Sequence, residues 1–212
     1  MSQRVLFGAG AAAIAAALLI GVVGITAKGG VPMMGWRVTP AGQSISIDQA
    51  QRSVQSFLDR TGNRDLTIDE LMEFDQNFYA LVKEKSTGIG AFELLVNKSS
   101  GAVGFEPGPN MMWNTKYSMM GGGMMRGGFG VASSSGPMPV SADQATRIAQ
   151  GWLDRRFSGD SAGDADAFYG YYTFHFKQNG QIAGMLSVNG YSGQVWFHTW
   201  HGSFVQAKDF GA

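Results

Sequence analysis

The chain has 212 residues, 44% of them hydrophobic, which is enough for one ordinary domain or two small ones. Its 16 basic residues balance 16 acidic ones, so no overall positive field attracts nucleic acid, and we expect no nucleic-acid partner. The absence of cysteine excludes disulfides, thiolate zinc sites, iron–sulfur clusters and a cysteine nucleophile.

The N-terminal segment predicts a membrane anchor. Residues 5–25 carry no charge, with Arg4 before them and Lys28 after them. This run has about the ~20 residues that a membrane-spanning helix needs, and it is longer than the apolar part of most secretory signal peptides. A cleaved signal peptide is the alternative. Because Arg4 precedes the span, we expect a single-pass, N-in topology, with the rest of the chain facing the periplasm or the cell exterior.

The sequence contains two copies of one unit. Residues 45–60 align without gaps on residues 140–155, with nine of sixteen positions identical, and residues 91–105 align on residues 183–197, with eight of fifteen identical. Two separate matches in the same order indicate an internal duplication. The predicted divisions are an anchor or signal (1–28), a linker (29–43), repeat one (44–109), a Met/Gly-rich linker (110–139) and repeat two (140–212).

Each repeat is predicted to begin with a helix and to continue as an antiparallel β-meander. Ser46 and Ser141 stand at N-cap positions, and Gln49 and Gln144 follow three residues later as capping-box partners. In repeat two, the Asn179-Gly180 pair is a strong signal for a two-residue hairpin turn. The predicted fold class is therefore α+β, with two tandem units after an N-terminal transmembrane helix.

The repeated unit resembles the PepSY family. In both repeats the motif S-x-D-Q-A opens the helix and V-N-x-x-S-G-x-V-x-F forms the last hairpin. The run from FYALVKEKSTGIGAFELLV to EPGPNMMWNTKY is also similar to a group of extracytoplasmic PepSY-like proteins. The resemblance implies a small domain of the kind found in propeptides of thermolysin-like metallopeptidases and in membrane-anchored or secreted bacterial proteins. It further implies a non-catalytic module that binds or inhibits proteins, and it transfers no catalytic residue.

The sequence patterns that suggest catalysis are unspecific. Ser192 lacks the G-x-S-x-G spacing of a nucleophile elbow and lies in a predicted turn. On a regular strand, Asp69, Glu73 and Asp75 share one face and Glu70 lies on the other, which is typical of a solvated surface. We therefore predict that the protein is not an enzyme.

The last strand of repeat two has an aromatic and histidine-bearing face. It comprises Trp196, His198 and Trp200, and repeat one has Gly104, Glu106 and Gly108 at the matching positions. If the alternate residues face the helix, this face points away from it. One interpretation is that the tryptophans pack against repeat one or the linker, with the histidines taking no part. The other is that the histidines bind a metal.

Methionines are concentrated outside the repeats. Thioethers are soft ligands that select Cu(I) and need no deprotonation. The candidate metal ligands are therefore Met111, Met112, Met119, Met120, Met124, Met125, His198 and His201, and the candidate binding residues are Trp113, Trp196 and Trp200. The methionines stand in adjacent pairs rather than in M-x-M spacing, and contact with a protein partner or with the membrane is an alternative explanation, as is plain loop composition.

The sequence as a whole predicts a membrane-anchored, extracytoplasmic binding or regulatory module of the PepSY type. We expect a peptidase-inhibitory or protein-complex role, with a protein partner in or on the membrane. The alternative function is copper handling, in which the linker methionines and the histidines of repeat two bind Cu(I).

Overall fold

The computed structural model describes residues 44–117 and 136–211, which belong to one compact unit. The predicted anchor and the candidate ligands Met119, Met120, Met124 and Met125 lie outside these residues. Within the described ranges, no helix is long and apolar enough to cross a membrane.

Each repeat folds as a helix followed by four strands. Repeat one comprises α1 (Ile47–Thr61), β1 (Leu66–Phe74), β2 (Asn77–Glu84), β3 (Gly90–Asn97) and β4 (Val103–Phe105), and a short helix, α2 (Pro109–Met112), follows it. Repeat two comprises α3 (Ala142–Asp154), β5 (Ser161–Phe168), β6 (Tyr171–Gln178), β7 (Gln181–Asn189) and β8 (Val195–Phe197). A final strand, β9 (Phe204–Asp209), has no counterpart in repeat one.

The strands form one mixed sheet, so the fold class is α+β. The strand order is β8-β7-β6-β5-β3-β2-β1-β9, and β4 pairs with β3 beside this path. Neighbouring strands are antiparallel except β3 and β5, which meet in parallel at Gly90 and Phe168. β9 pairs with β1, so the chain returns from repeat two to the outer side of repeat one. The two helix-and-meander units lie on either side of residue 140, and β9 of the second unit pairs with β1 of the first.

Both long helices begin at the residues that the sequence indicates. The side chains of Ser46 and Ser141 accept hydrogen bonds from the backbone N–H groups of Gln49 and Gln144 at 3.2 and 3.3 Å. The glutamine side chains accept hydrogen bonds from the serine N–H groups at 2.7 and 2.8 Å. Each capping box satisfies two N–H groups that have no partner within the helix.

Three apolar clusters hold the unit together. In repeat one α1 packs on its meander through side chains such as Val54, Leu71 and Phe92. In repeat two α3 packs likewise on Phe174 and Leu186. The third cluster lies on the opposite faces of the two meanders and joins them, and its members are Met72, Phe74, Tyr79, Leu81, Phe168, Tyr171 and Met185. The strand faces remote from the helices are therefore the faces through which the repeats meet.

The predicted arrangement of carboxylates on β1 is wrong. A register shift between Ile68 and Glu70 interrupts the alternation of the strand, as a β-bulge does. Asp69 and Glu70 consequently line the same cleft. Glu73 does not line that cleft, and its Oε1 lies 2.6 Å from Lys98 Nζ. Alternate residues share a face only on a strand without interruption, and the additional residue of the bulge shifts those that follow it to the other face.

Candidate functional site

A buried polar centre lies between the two repeats. We define the buried centre as Glu106 of repeat one with His198 and His201 of repeat two, and each of these residues is at most 4% exposed. A second acid, Glu93, is completely buried close by. Because a buried charge without compensation is costly, the partners of these side chains decide what the centre does.

The duplication itself brings Glu106 and His198 together. Glu106 follows β4 and His198 follows β8, and the repeat alignment matches the two positions. Their backbones are held alike, because the N–H of Glu106 donates to the carbonyl of Glu93 at 3.0 Å and the N–H of His198 donates to that of Met185 at 3.0 Å. Equivalent positions of the two repeats thus face each other across the interface between the repeats, which we call the joint.

Three atoms converge in the buried centre. His201 Nε2 lies 2.9 Å from Glu106 Oε1, and His198 Nδ1 lies 3.3 Å from the same oxygen. The two ring nitrogens are 3.4 Å apart. Trp200 Nε1 donates a hydrogen bond to Oε1 at 3.0 Å, while Oε2 of Glu106 is buried and has no hydrogen-bond partner in the described part of the chain.

The outer nitrogen of each histidine also has a partner. His201 Nδ1 lies 3.0 Å from Asn77 Oδ1, and His198 Nε2 lies 3.0 Å from Ser187 Oγ. Ser187 Oγ is in turn 2.9 Å from Thr173 Oγ1, which donates to Glu93 Oε1 at 2.8 Å. A continuous chain of hydrogen bonds therefore connects the two buried acids.

The two buried acids, Glu106 and Glu93, differ in charge state. Burial opposes ionisation of Glu106, but the His198 and His201 imidazoles outweigh it and lower the pKa of Glu106 to about 2. Burial, reinforced by the charge of Glu106, holds the pKa of Glu93 well above its usual range, although the hydroxyls of Tyr79, Tyr171 and Thr173 donate to its carboxyl group. Glu106 is therefore the ionised acid at neutral pH, and Glu93 keeps its proton.

Of the three candidate tryptophans, Trp200 contacts the buried centre directly. The rings of Trp113 and Trp196 contact edge to face at 5.8 Å, and Trp200 stacks on His198 at 4.8 Å. Gly108 fits against them with φ +79°, and a Cβ there would lie 3.1 Å from Trp196 and 3.2 Å from Trp200. The tryptophans thus pack against the end of repeat one, as one interpretation of the sequence holds. In that interpretation the histidines take no part. In the structure, however, His198 Nδ1 and His201 Nε2 both lie within 3.3 Å of Glu106 Oε1 in the interface between the repeats.

The candidate metal ligands divide into separate groups. His198 and His201 come together, and Glu106 completes with them a group of three metal-ligand side chains. Met111 and Met112 lie in α2, where Met112 is 59% exposed and turned to solvent. Sequence reasoning missed Glu106 as a ligand, although the repeat alignment matches it to His198 and carried the signal.

A second group of titratable side chains lies in a cleft near β1 and β5. The acidic cleft, about 780 Å³ in volume, is lined by Asp69, Glu70, Asp164, Asp166 and Asp209, together with His175 and Lys177. Burial and the neighbouring carboxylates raise the pKa of Glu70 and that of Asp166 to about 7. Burial lowers the pKa of His175 to about 4. Among the residues that the structure describes, these side chains do not converge as metal ligands, in contrast to the buried centre.

Comparisons with known proteins identify no family for this chain. No protein-family model matches the sequence, and no curated protein matches it. A structure search matches the chain to a solved structure, the Bacillus megaterium YpeB C-terminal domain, at 14% identity and a TM-score of 0.26. The similarity covers 73% of this chain and 62% of that one. At this TM-score and identity, the match carries no argument about fold or activity.

Proposed function

We propose that the protein is a non-enzymatic, membrane-anchored extracytoplasmic binding module, built from two PepSY-like units, whose buried centre binds a transition-metal ion. One observation carries the proposal. The carboxylate oxygen of Glu106 and one ring nitrogen from each of His198 and His201 lie within 3.4 Å of one another. Two imidazoles and a carboxylate are a common donor set for zinc, copper and iron in proteins.

A simple ion pair does not account for all the atoms of the centre. One imidazolium would neutralise Glu106, yet two imidazoles converge on a single oxygen of its carboxylate. The other oxygen is buried and unpaired within the described residues, although buried polar atoms nearly always have a partner. A bound cation would engage both imidazoles and offer that oxygen a ligand position.

Burial supports binding rather than catalysis. The side chains of Glu106 and His198 are 0% exposed and that of His201 is 2% exposed, so a substrate has no direct access to them. Because the ligands come from both repeats, an ion would also tie the repeats together and stabilise the folded chain by mass action. We therefore expect metal binding to control the stability of the interface between the two repeats.

Metal analysis of the full chain, purified in detergent from its own membrane, tests this function. We expect about one transition-metal ion per chain, and substantial loss of that ion in Glu106→Gln, because amide oxygen is a poorer ligand than carboxylate. Glu73→Gln, a carboxylate outside the centre, is the matched control and should keep the ion. A chain that is purified without metal and then binds none of Zn²⁺, Cu²⁺ and Cu⁺ would contradict the proposal.

Copper handling by the linker stays a separate prediction. Titration of the full chain with Cu(I) against a competing chelator should show weaker binding when all six methionines from Met111 to Met125 are replaced by leucine. An affinity that does not change with these replacements would remove the methionines from the site.

The PepSY-type role in inhibiting a peptidase or joining a protein complex also stays a prediction. The full chain should slow a secreted metallopeptidase from the same cell when the two proteins are mixed in purified form. Unchanged peptidase rates at micromolar concentrations of the chain would exclude that enzyme as the target.

A further inference from the structure

We infer that the buried centre is preset for a divalent ion of the zinc type, held by Glu106, His198 Nδ1 and His201 Nε2, with Asn77 and Ser187 as positioning residues. This inference rests on the proposed function, in which the centre binds a metal. It adds the class of ion, the ligating atoms and the groups that orient them.

The hydrogen bonds of Asn77 fix the state of His201. The Asn77 side-chain amide donates through Nδ2 to the carbonyl of Trp200 at 2.7 Å, which orients Oδ1 toward His201 Nδ1 at 3.0 Å. An amide oxygen only accepts, so Nδ1 of His201 carries a hydrogen. In the neutral ring the lone pair is then on Nε2, the atom that points at Glu106.

The hydroxyl chain gives the outer nitrogen of His198 a partner. Ser187 Oγ lies 3.0 Å from His198 Nε2 and 2.9 Å from Thr173 Oγ1, and a hydroxyl oxygen can accept the hydrogen of a ring nitrogen. With an ion bound at Nδ1, the ring hydrogen of His198 is on Nε2, where Ser187 accepts it. Nδ1 itself lies 3.3 Å from Glu106 Oε1 in the centre.

Three possible ligand atoms face one another in the buried centre. They are two ring nitrogens and a carboxylate oxygen, at mutual distances of 2.9, 3.3 and 3.4 Å. A proton bridges only two of them, whereas a metal ion engages all three. An imidazole whose outer N–H is hydrogen-bonded is also the usual state of a metal-binding histidine.

The spacing of the three atoms fits a small tetrahedral ion. Ligand bonds of 2.0–2.1 Å around a tetrahedral centre place neighbouring donor atoms about 3.3 Å apart. The observed separations of 2.9 to 3.4 Å lie around that value. An ion about 2 Å from each donor atom would lie slightly out of the plane of the three, so the site needs little rearrangement to hold it.

The donor set decides the class of ion. Imidazole nitrogen and carboxylate oxygen suit Zn²⁺ and similar divalent ions, whereas Cu⁺ is selected by thiolates and thioethers. No sulfur is among the three converging atoms. The buried Oε2 of Glu106 has no hydrogen-bond partner among the described residues. Zn²⁺ binds nitrogen and oxygen donors of this kind without a redox change, and we therefore use it as the probe.

Nitrogen-15 NMR of the full chain in detergent identifies the ligating atoms. The sequence has three histidines, so labelled histidine gives three ring systems. On addition of Zn²⁺, the signals of His198 Nδ1 and His201 Nε2 should shift most, and His175 is the internal control. If Zn²⁺ leaves these two nitrogens unchanged, the assignment of the ligands is overturned.

Substitutions at Ser187 test the positioning role. Removal of an outer-shell partner commonly weakens metal binding 10- to 100-fold, so we expect a loss of about that size for Ser187→Ala. Ser187→Thr keeps the hydroxyl and should restore most of the affinity, and Ser192→Ala in an exposed turn should have no effect. Equal affinities for Ser187→Ala and Ser192→Ala would overturn the role. If Ser187→Ala does not fold, the NMR shifts of the unaltered chain decide the ligand assignment.

The outcomes separate this inference from the function on which it rests. Tight Cu⁺ binding without Zn²⁺ binding would overturn the ion class and leave a metal-binding protein. Failure of every ion to bind would overturn both. Zn²⁺ binding that is abolished by His198→Gln and retained in Met111→Leu/Met112→Leu would support the buried centre as the site.

Discussion

The two repeats share a backbone plan and differ in what they place at the joint. The matched positions after β4 and β8 carry Glu106 in repeat one and His198 in repeat two, and the side chains meet at 3.3 Å. Two identical repeats would bring together two acids or two bases, which repel each other when buried. Divergence at one equivalent position thus converts a symmetric contact into a complementary one. The following predictions test how far the repeats are equivalent, from the largest expected effect to the smallest.

Making the matched pair alike should have the largest effect. His198→Glu places two carboxylates face to face in a buried joint, and we expect a loss of about 3–5 kcal/mol in the free energy of unfolding. The measurement is urea denaturation of the chelator-treated full chain, followed by tryptophan fluorescence. The exchange Glu106→His/His198→Glu restores one acid and one base, and it should recover at least ~1 kcal/mol. No recovery would show that the two positions are not interchangeable.

A second difference between the repeats is Gly108, which the alignment matches to Trp200. Gly108→Ala adds a Cβ at 3.1 Å from Trp196 to a backbone with φ +79°, and we expect it to cost roughly 2–3 kcal/mol. Gly62→Ala is the control, because Gly62 has φ +71° but open space around the added atom, and it should cost about 1 kcal/mol. If urea denaturation shows the same loss in the free energy of unfolding for Gly108→Ala and Gly62→Ala, then Trp196 and Trp200 can move aside at little cost.

Glu70 and Asp166, in the acidic cleft near the equivalent first strands β1 and β5, should make stability fall as pH rises. Their folded-state pKa values are raised from 4.5 and 3.8 to about 7, so the folded chain binds these protons more tightly than the unfolded chain. The stability that these two carboxyl groups contribute is therefore lost between about pH 4 and pH 7, whereas His175, whose pKa is lowered to about 4, acts in the opposite direction. Glu70→Gln/Asp166→Asn should stabilise the chain by roughly 1–3 kcal/mol at pH 8 and hardly at pH 4. Equal effects at both pH values in thermal unfolding would contradict this origin.

The helix caps should show the smallest effects and the closest equivalence. Ser46→Ala and Ser141→Ala each remove one side of a capping box with nearly the same geometry. Each should lower the free energy of unfolding by about 1 kcal/mol, and the two losses should agree within about 0.5 kcal/mol. A much larger loss at one cap, measured under the same conditions, would show that the two helices contribute unequally to the common fold.

Local sequence signals were sufficient for the regular parts of the fold. The capping boxes start both helices, and a β-meander follows each of them. The Asn179-Gly180 turn has positive φ at both residues, as a two-residue hairpin needs. β5 and β9 carry no comparable signal, because SAGDADAF and FVQAKD lack the alternation of large apolar residues that marks a strand. Pairing with strands already in place holds them in the sheet.

The candidate site was accessible from the sequence only in part. His198 and His201 stand three residues apart, and their proximity follows from that spacing. Their association with Glu106 depends on a contact between residues some 90 positions apart, which no local period reports. The partners Asn77 and Ser187 read as ordinary strand residues, because their role arises from which histidine nitrogen each of them faces.

The sequence by itself determined the duplication, the start of each long helix, the α+β class and the separation of methionines from the repeats. These features depend on short-range periodicity, capping and composition, which the chain carries locally. The tertiary structure decided that the faces of the two meanders remote from the helices pack together, that β9 pairs with β1, and that Glu106 meets two histidines in a buried interface. Burial and facing geometry are set when distant segments pack together, so the chemistry of the centre belongs to the folded chain.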